Sequence, residues 1–168
     1  MSLRGRSVDD PDDQYWIDLV AQYGHAVVQV ADGEAEATDE PEFAYSMGAF
    51  ESYGAPELIV FGLRGDIAAQ IINDVLGACQ AGRRFRSGVL EHGLVGGDLP
   101  LVFLDANRRL GVEYATYADW YYERQPFPLC QIFWPAKNGC FPWDADCPPE
   151  VRKLQVDLTA NRYGGLSH

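Results

Sequence analysis

The run "QIFWPAKNGCFPWDADC", Gln131 to Cys147, gathers two Trp, two Pro, two Cys and two Asp into one short stretch. Three roles could use such a set: a metal loop, a catalytic loop, or a rigid turn that caps a core. Metal is the weakest. Cys79, Cys130, Cys140 and Cys147 include no CxxC pair and no nearby His, and His25, His92 and His168 lie far apart. Structural zinc needs closely spaced thiolate and imidazole ligands. No metal and no cofactor is therefore expected. A Ser46 nucleophile is poorly supported too, since no GxSxG elbow surrounds it and no His base adjoins it. The glycines of "GLVGGDLP" lack the helix cap and the Lys of a phosphate loop. A rigid turn fits best. Asn138-Gly139 invites a tight bend, and Pro135 and Pro142 restrict the backbone around it. Trp134, Phe141 and Trp143 then either cover a sheet edge or form an aromatic wall for a flat or cationic ligand.

Three polar residues join this loop as candidates. Gln131 sits in an apolar strand, on the face of Leu129 and Phe133 if side chains alternate. A buried amide there must find partners. It either clamps a neighbouring loop's backbone or orients a ligand. Tyr45 precedes a turn, and Glu57 begins the strand after it, so antiparallel pairing would make them neighbours. Tyr45, Glu57, Gln131, Trp134 and Trp143 together define a candidate ligand pocket at one end of a sheet. No catalytic residue is identified. His25 reads as a helix-end or core hydrogen-bonder, and Asn73 as facing the sheet obliquely and tying it to a loop. The dense basic patch "RRFRSG" suits the negative end of the helix before it.

The elements that must position these residues follow from pattern. Asp10 caps a helix with Pro11 in its first turn, and Gly24 stops it. Its inward stripe reads as Tyr15 or Trp16, Leu19 or Val20, and Tyr23. His25 to Ala31 is a strand. Residues 32–42 form an acidic, turn-rich loop whose role the sequence leaves open. In "FAYSMGA", Phe43, Tyr45 and Met47 share one face of a strand, and Ala44, Ser46 and Gly48 share the other. "FESYGAP" is a turn, and Glu57 to Leu63 is a central strand covered on both faces. Asp66 caps a second helix, with Ile67, Ile71, Val75 and Cys79 as its stripe and Gly82 as its stop. "LEHGLVGGDLP" is a turn and "LPLVFLDA" a buried strand. Val112 to Glu123 is a helix, "LCQIFW" a strand, and "VRKLQVDL" a last edge strand. The fold class is α+β, with a single mixed or mainly antiparallel sheet and helices packed against it. The organisation is one domain over 1–168, with loose tails at 1–9 and 160–168.

Three segments in this order carry a family resemblance: "FAYSMGAFESYGAPELIVFGL", "IINDVLGACQAG" and "LCQIFWPAKNGCFPW". They resemble the domain of unknown function 4262 family, over about residues 25–158. That pattern has Tyr-Thr-x-Gly-Leu, Pro-Glu-Leu before an apolar strand, and an Asn-bearing helix. It then runs through Gln-x-x-Trp-Pro-Asp, Gly-x-Phe-Pro-Trp and Gln-Pro-x-Leu. Here Tyr45, Gly48, Pro56, Glu57, Leu58, Gly62, Asn73 and Gly82 match. So do Gln131, Trp134, Pro135, Gly139, Phe141, Pro142, Trp143 and Gln155. The chain departs at Ser46, Ala49, Ala136 and Val156. A carboxylate catalytic at position 136 would be missing here. The resemblance lends no activity.

Charge bounds the partners. With 25 acidic against 13 basic residues, the chain carries −12 at neutral pH. That opposes nucleic-acid binding, which needs clustered Lys and Arg. It suits a basic protein partner or a small polar or cationic ligand. No apolar run approaches the ~20 residues of a membrane helix, and the start lacks the apolar core of a secretory signal. A cytoplasmic location with reduced cysteines is expected. Oligomeric state is not legible. The leading reading is a non-catalytic binding or protein-interaction module, of regulatory or immunity type. The alternative is a small-molecule enzyme, in particular a hydrolase, using the sheet-end pocket.

Overall fold

The computed structural model describes residues 2–31, 41–96 and 99–159. The acidic loop up to residue 40 and the tail at 160–168 lie outside them. Among the described residues, six strands form one mixed sheet with six helices around it, an α+β architecture. The strands are β1 (Ala26–Val30), β2 (Phe43–Met47), β3 (Glu57–Phe61), β4 (Leu90–Glu91), β5 (Leu101–Asp105) and β6 (Leu129–Phe133). The helices are α1 (Pro11–Tyr23), α2 (Ala49–Tyr53), α3 (Gly65–Gln80), α4 (Arg108–Gly111), α5 (Thr116–Tyr121) and α6 (Pro149–Leu154). The order across the sheet is β1-β2-β3-β6-β5-β4. All neighbours run antiparallel except β3 and β6, which are parallel.

Alternation along the strands sends side chains into two main cores. On one face Phe43, Tyr45, Met47, Ile59 and Phe61 pack against Ile17 and Val20 of α1 and Ala118 and Tyr121 of α5. On the other, Ala44, Leu58, Val60 and Ile132 meet Ile71, Ile72, Val75 and Leu76 of α3. A third, smaller cluster joins Val102, Leu104 and Phe133 to Phe141, with Trp143 against it.

Several expectations need correction. The inward residues of α1 are Ile17 and Val20, whereas Tyr15 and Tyr23 stand 57% and 60% exposed. In α3 the small Ala68 is buried and Ile67 points outward. The helix begins at Gly65 after Arg64, so Asp66 lies in its first turn, tied to Arg64, and is not its cap. "FESYGAP" holds most of the short helix α2, and of the helix expected over Val112–Glu123 only Thr116–Tyr121 is helical, as α5, after a turn that follows α4. The "VRKLQVDL" segment is no strand: its first half is α6, and two side-chain amides take over where a ladder would be. The amino-terminal arm is tied down. Leu3 is buried, and its N–H donates to Tyr121 O at 2.9 Å.

Candidate functional site

Glu57 is the most deeply placed ionisable candidate. It is fully buried where β3 begins. Helix α2 starts from Gly48, in the left-handed region with φ 90°, and Gly48 offers no side-chain cap. A Cβ there would sit 2.5 Å from Val20 Cγ1, so the close approach of α1 requires glycine. The missing cap is supplied from β3. Glu57 Oε1 accepts from Ala49 N at 3.3 Å, and Oε2 from Phe50 N at 3.0 Å. Ser46 Oγ donates to Oε1 at 2.7 Å, and Tyr122 Oη donates to Oε2. Burial pushes the Glu57 carboxyl above its ordinary range, and these four donors pull it back only in part. Ser46 Oγ also accepts from Leu58 N at 2.9 Å, so its hydroxyl both donates and accepts within the fold.

Tyr45 lies on the next strand, opposite Ile59, but its ring points into the α1/α5 core. Its phenol accepts from Tyr117 N at 3.0 Å. Burial pushes that phenol up to about 12, so it stays neutral at physiological pH. Tyr45 and Glu57 are thus close along the sheet while their polar atoms serve different helices.

Gln131 occupies the middle of β6, beside Ile59 of β3. Its Nε2 donates to Val156 O, and its Oε1 accepts from Leu158 N at 3.0 Å. Gln155 answers from the other side: its Oε1 accepts from Trp134 N at 3.1 Å, and its Nε2 donates to Trp134 O at 2.8 Å. Two amides, one from each segment, replace the backbone ladder that a last strand would have made. Trp134 adds an indole N–H donated to Phe61 O at 2.8 Å.

The 131–147 loop is a rigid turn. Gly139 (φ 86°) permits the bend, and Ala136 N donates to Cys140 O at 2.8 Å. Asn138 donates to Asp146 O at 3.0 Å, and Asp144 accepts from Phe141 N at 2.8 Å. Arg152 of α6 holds the loop by its carbonyls, donating to Pro142 O at 2.9 Å and Asp144 O at 3.1 Å. Ala136, where the family pattern has Asp, is buried. Alanine is the side chain that such a position accepts without a partner. Trp143 stacks on Phe141 at 5.2 Å and meets Phe133 edge-on at 5.3 Å. Trp143→Ala is expected to cost about 2 kcal/mol, below the ~3–5 kcal/mol of a fully buried ring, because one side of the indole meets solvent. Chemical denaturation checks this, and an unshifted midpoint would remove Trp143 from the core.

Tyr45, Glu57 and Gln131 lie on the adjacent strands β2, β3 and β6, but Glu57 begins β3 whereas Trp134 reaches Phe61 at that strand's other end, and the five candidates share none of five surface cavities. Tyr45 alone lines one, with Asp12, Tyr15, Trp16 and Tyr117. Glu57, Gln131, Trp134 and Trp143 line none of the five. Among the described residues no group of three His, Cys, Asp or Glu is placed to hold a metal, and no helix is long and apolar enough to cross a membrane.

Two local expectations are met. His25 bonds to Tyr53 Oη and Asn73 Oδ1, each at 2.8 Å, joining the end of α1 to α2 and α3. Arg84 of the basic patch donates to Cys79 O at 2.9 Å, at the carbonyl end of α3. Sequence reasoning missed Tyr122 and Tyr53, whose hydroxyls complete these networks. Tyr122 reads as one of an aromatic run and Tyr53 as part of a turn, and nothing in their spacing sets them apart.

The molecule is an α+β protein with a mixed sheet, whose polar candidates bind its own backbone. The chain belongs to the family described as Domain of unknown function (DUF4262), whose model matches residues 19–148. Searches of curated proteins and of solved structures found no match to it.

Proposed function

We propose that this protein is a non-catalytic interaction module for a basic protein partner. The observation that carries this reading is a charge asymmetry around β1. Helix α1 contributes Asp12, Asp13 and Asp18, helix α3 contributes Asp66 and Asp74, and neither helix contains Lys or Arg. Both flank β1, one on each face of the sheet. A one-sign surface over a low-dielectric body raises the local concentration of a cationic partner and speeds its approach. The polar candidates support the same reading from inside, since Glu57, Gln131 and Gln155 spend their hydrogen bonds on the fold.

The hydrolase alternative has one feature in its favour. His25 and Asn73 stand together on the wall of a cavity of about 490 Å3. That wall supplies no Ser, Thr or Cys nucleophile, which weighs against nucleophilic catalysis there.

The test is titration with a short lysine oligomer, followed by calorimetry at low and high salt. A saturable complex that weakens with salt is expected. Neutralising Asp12 and Asp66 to Asn should weaken it more than neutralising Glu113 and Asp146, which are exposed on other elements. Equal losses from the two pairs would reduce the effect to bulk charge and sink the reading.

A further inference from the structure

The outer side of β1 carries free backbone groups, and their identity follows from register. Gly62 N–H donates to Glu42 O at 2.8 Å, and Phe43 sits opposite Phe61. Bonded pairs alternate in an antiparallel ladder. Glu42, Ala44 and Ser46 therefore turn their backbone groups toward β3, and Phe43, Tyr45 and Met47 turn theirs toward β1. The β1 partners of those three are Val30, Val28 and Ala26. Val27 and Gln29 are left with N–H and C=O pointing away from the sheet. Among the described residues neither makes a backbone bond to another element.

An unpaired edge is ordinarily blunted by shortness, charge, proline or a bulge. The opposite edge follows that rule, because β4 has only two residues. β1 does not: "AVVQV" has five residues and neither a charge nor a proline. Its surroundings form a groove with depth on both sides. A cavity of about 490 Å3 spans from Leu19 and Tyr23 of α1 across Val27 to Ala69 and Asn73 of α3. A second, of about 420 Å3, lies on the α1 side, with Asp12, Tyr15, Val28 and Tyr117. A third, of about 390 Å3, follows the end of β1 past Gln29 and Val30 to Glu42 and Asp66.

We infer that β1 is the docking edge for an extended, cationic segment of a partner protein, added to the sheet as a further strand. This inference rests on the interaction-module reading and specifies its geometry. The exposed backbone pairs of Val27 and Gln29 bind the segment's own backbone. Alternate side chains of the segment fall toward α1 or toward α3. The lining favours Lys or Arg: Asp12 on the α1 side and Glu42 and Asp66 at the end of β1 complement the charge, and the exposed rings of Tyr15 and Tyr23 lie along the aliphatic stems and face the cations. Among the described residues, Arg64 lies beside this groove's end and is engaged with Asp66 at 2.6 Å.

The test uses an octapeptide of alternating lysine and valine, its glutamate–valine counterpart, and a lysine–valine peptide methylated at alternate backbone nitrogens. Amide chemical shifts on the whole chain report the site. The lysine–valine peptide should shift the Val27 and Gln29 amides. Gln29→Pro removes one outward N–H and leaves the β2 ladder intact, since a proline is tolerated at an outward edge position. It should weaken binding ~10-fold, the equivalent of about 1.4 kcal/mol, and the methylated peptide should bind the native protein as weakly. Lysine-oligomer binding without octapeptide binding would overturn the docking edge and leave the basic-partner reading standing. Undiminished octapeptide affinity for Gln29→Pro, with undiminished affinity of the methylated peptide for the native protein, would do the same. Failure of both cationic ligands, or equal binding of the glutamate peptide, would overturn both.

Discussion

Glu57→Ala is expected to destabilise the fold by about 3–5 kcal/mol, the largest effect of any substitution considered for this chain. The carboxylate accepts from Ser46, Ala49, Phe50 and Tyr122, and all of these donors meet it at a fully buried position. Removing it leaves them without an acceptor in a medium that water does not reach. Each orphaned donor costs ~1–3 kcal/mol, partly recovered by rearrangement of the two hydroxyls. Helix α2 should loosen first, because its five residues start from a glycine with no side-chain cap of its own. Glu57→Gln is not a neutral replacement. Oε1 faces Ala49 N and Oε2 faces Phe50 N, so an amide NH2 in either position meets a backbone N–H.

The same pair of proteins has a signed pH dependence. The folded carboxyl lies above its unfolded value because of burial. A group raised in this way contributes stability that is fully present below its unfolded value and is lost as pH rises through its folded value. The native protein should therefore be strongest relative to Glu57→Gln in acid, and the gap should narrow as pH rises from the ordinary glutamate range. Urea unfolding over that range measures it. A gap that widens with pH would show that the four donors outweigh burial.

Gln131→Leu is expected to cost about 3 kcal/mol, with a different signature. Leucine fits the apolar surroundings of β6 but leaves Val156 C=O and Leu158 N–H without partners, at ~1–3 kcal/mol each. The 155–159 segment depends on this amide, on the reciprocal bonds of Gln155, and on the Leu158 O that accepts from Asn107 N at 2.7 Å. Hydrogen exchange should accelerate at Leu158 well before global unfolding, since the loss is local. Unchanged protection at Leu158, with an unchanged midpoint, would refute the clamp.

Local pattern carried much of the fold. The alternation of Phe43, Tyr45 and Met47 against Ala44 and Ser46 survives in the two cores, because a strand's side-chain period is two wherever both faces are buried. Asp10 and Gly24 bound α1 because capping involves only neighbouring backbone. The helical stripes were less legible. Large aromatics such as Tyr15 and Tyr23 read as core by type, but in α1 they face outward and the smaller Ile17 and Val20 face the sheet. The face a helix presents is set by what it packs on, and the sequence of the helix alone does not contain that surface.

The candidate site divides the same way. The sequence by itself determined that Gln131 is a buried amide in need of partners, that the 131–147 loop is rigid, and that the chain is acidic. Each follows from residue type and near neighbours. Only the tertiary structure decided that the partners of Gln131 are the backbone of residues 156 and 158, and that Glu57 caps a helix made by the preceding segment. It alone placed β1 at an open edge between two acidic helices. Those facts depend on strand order, and strand order arises from contacts between distant residues, whose spacing along the chain leaves no periodic trace.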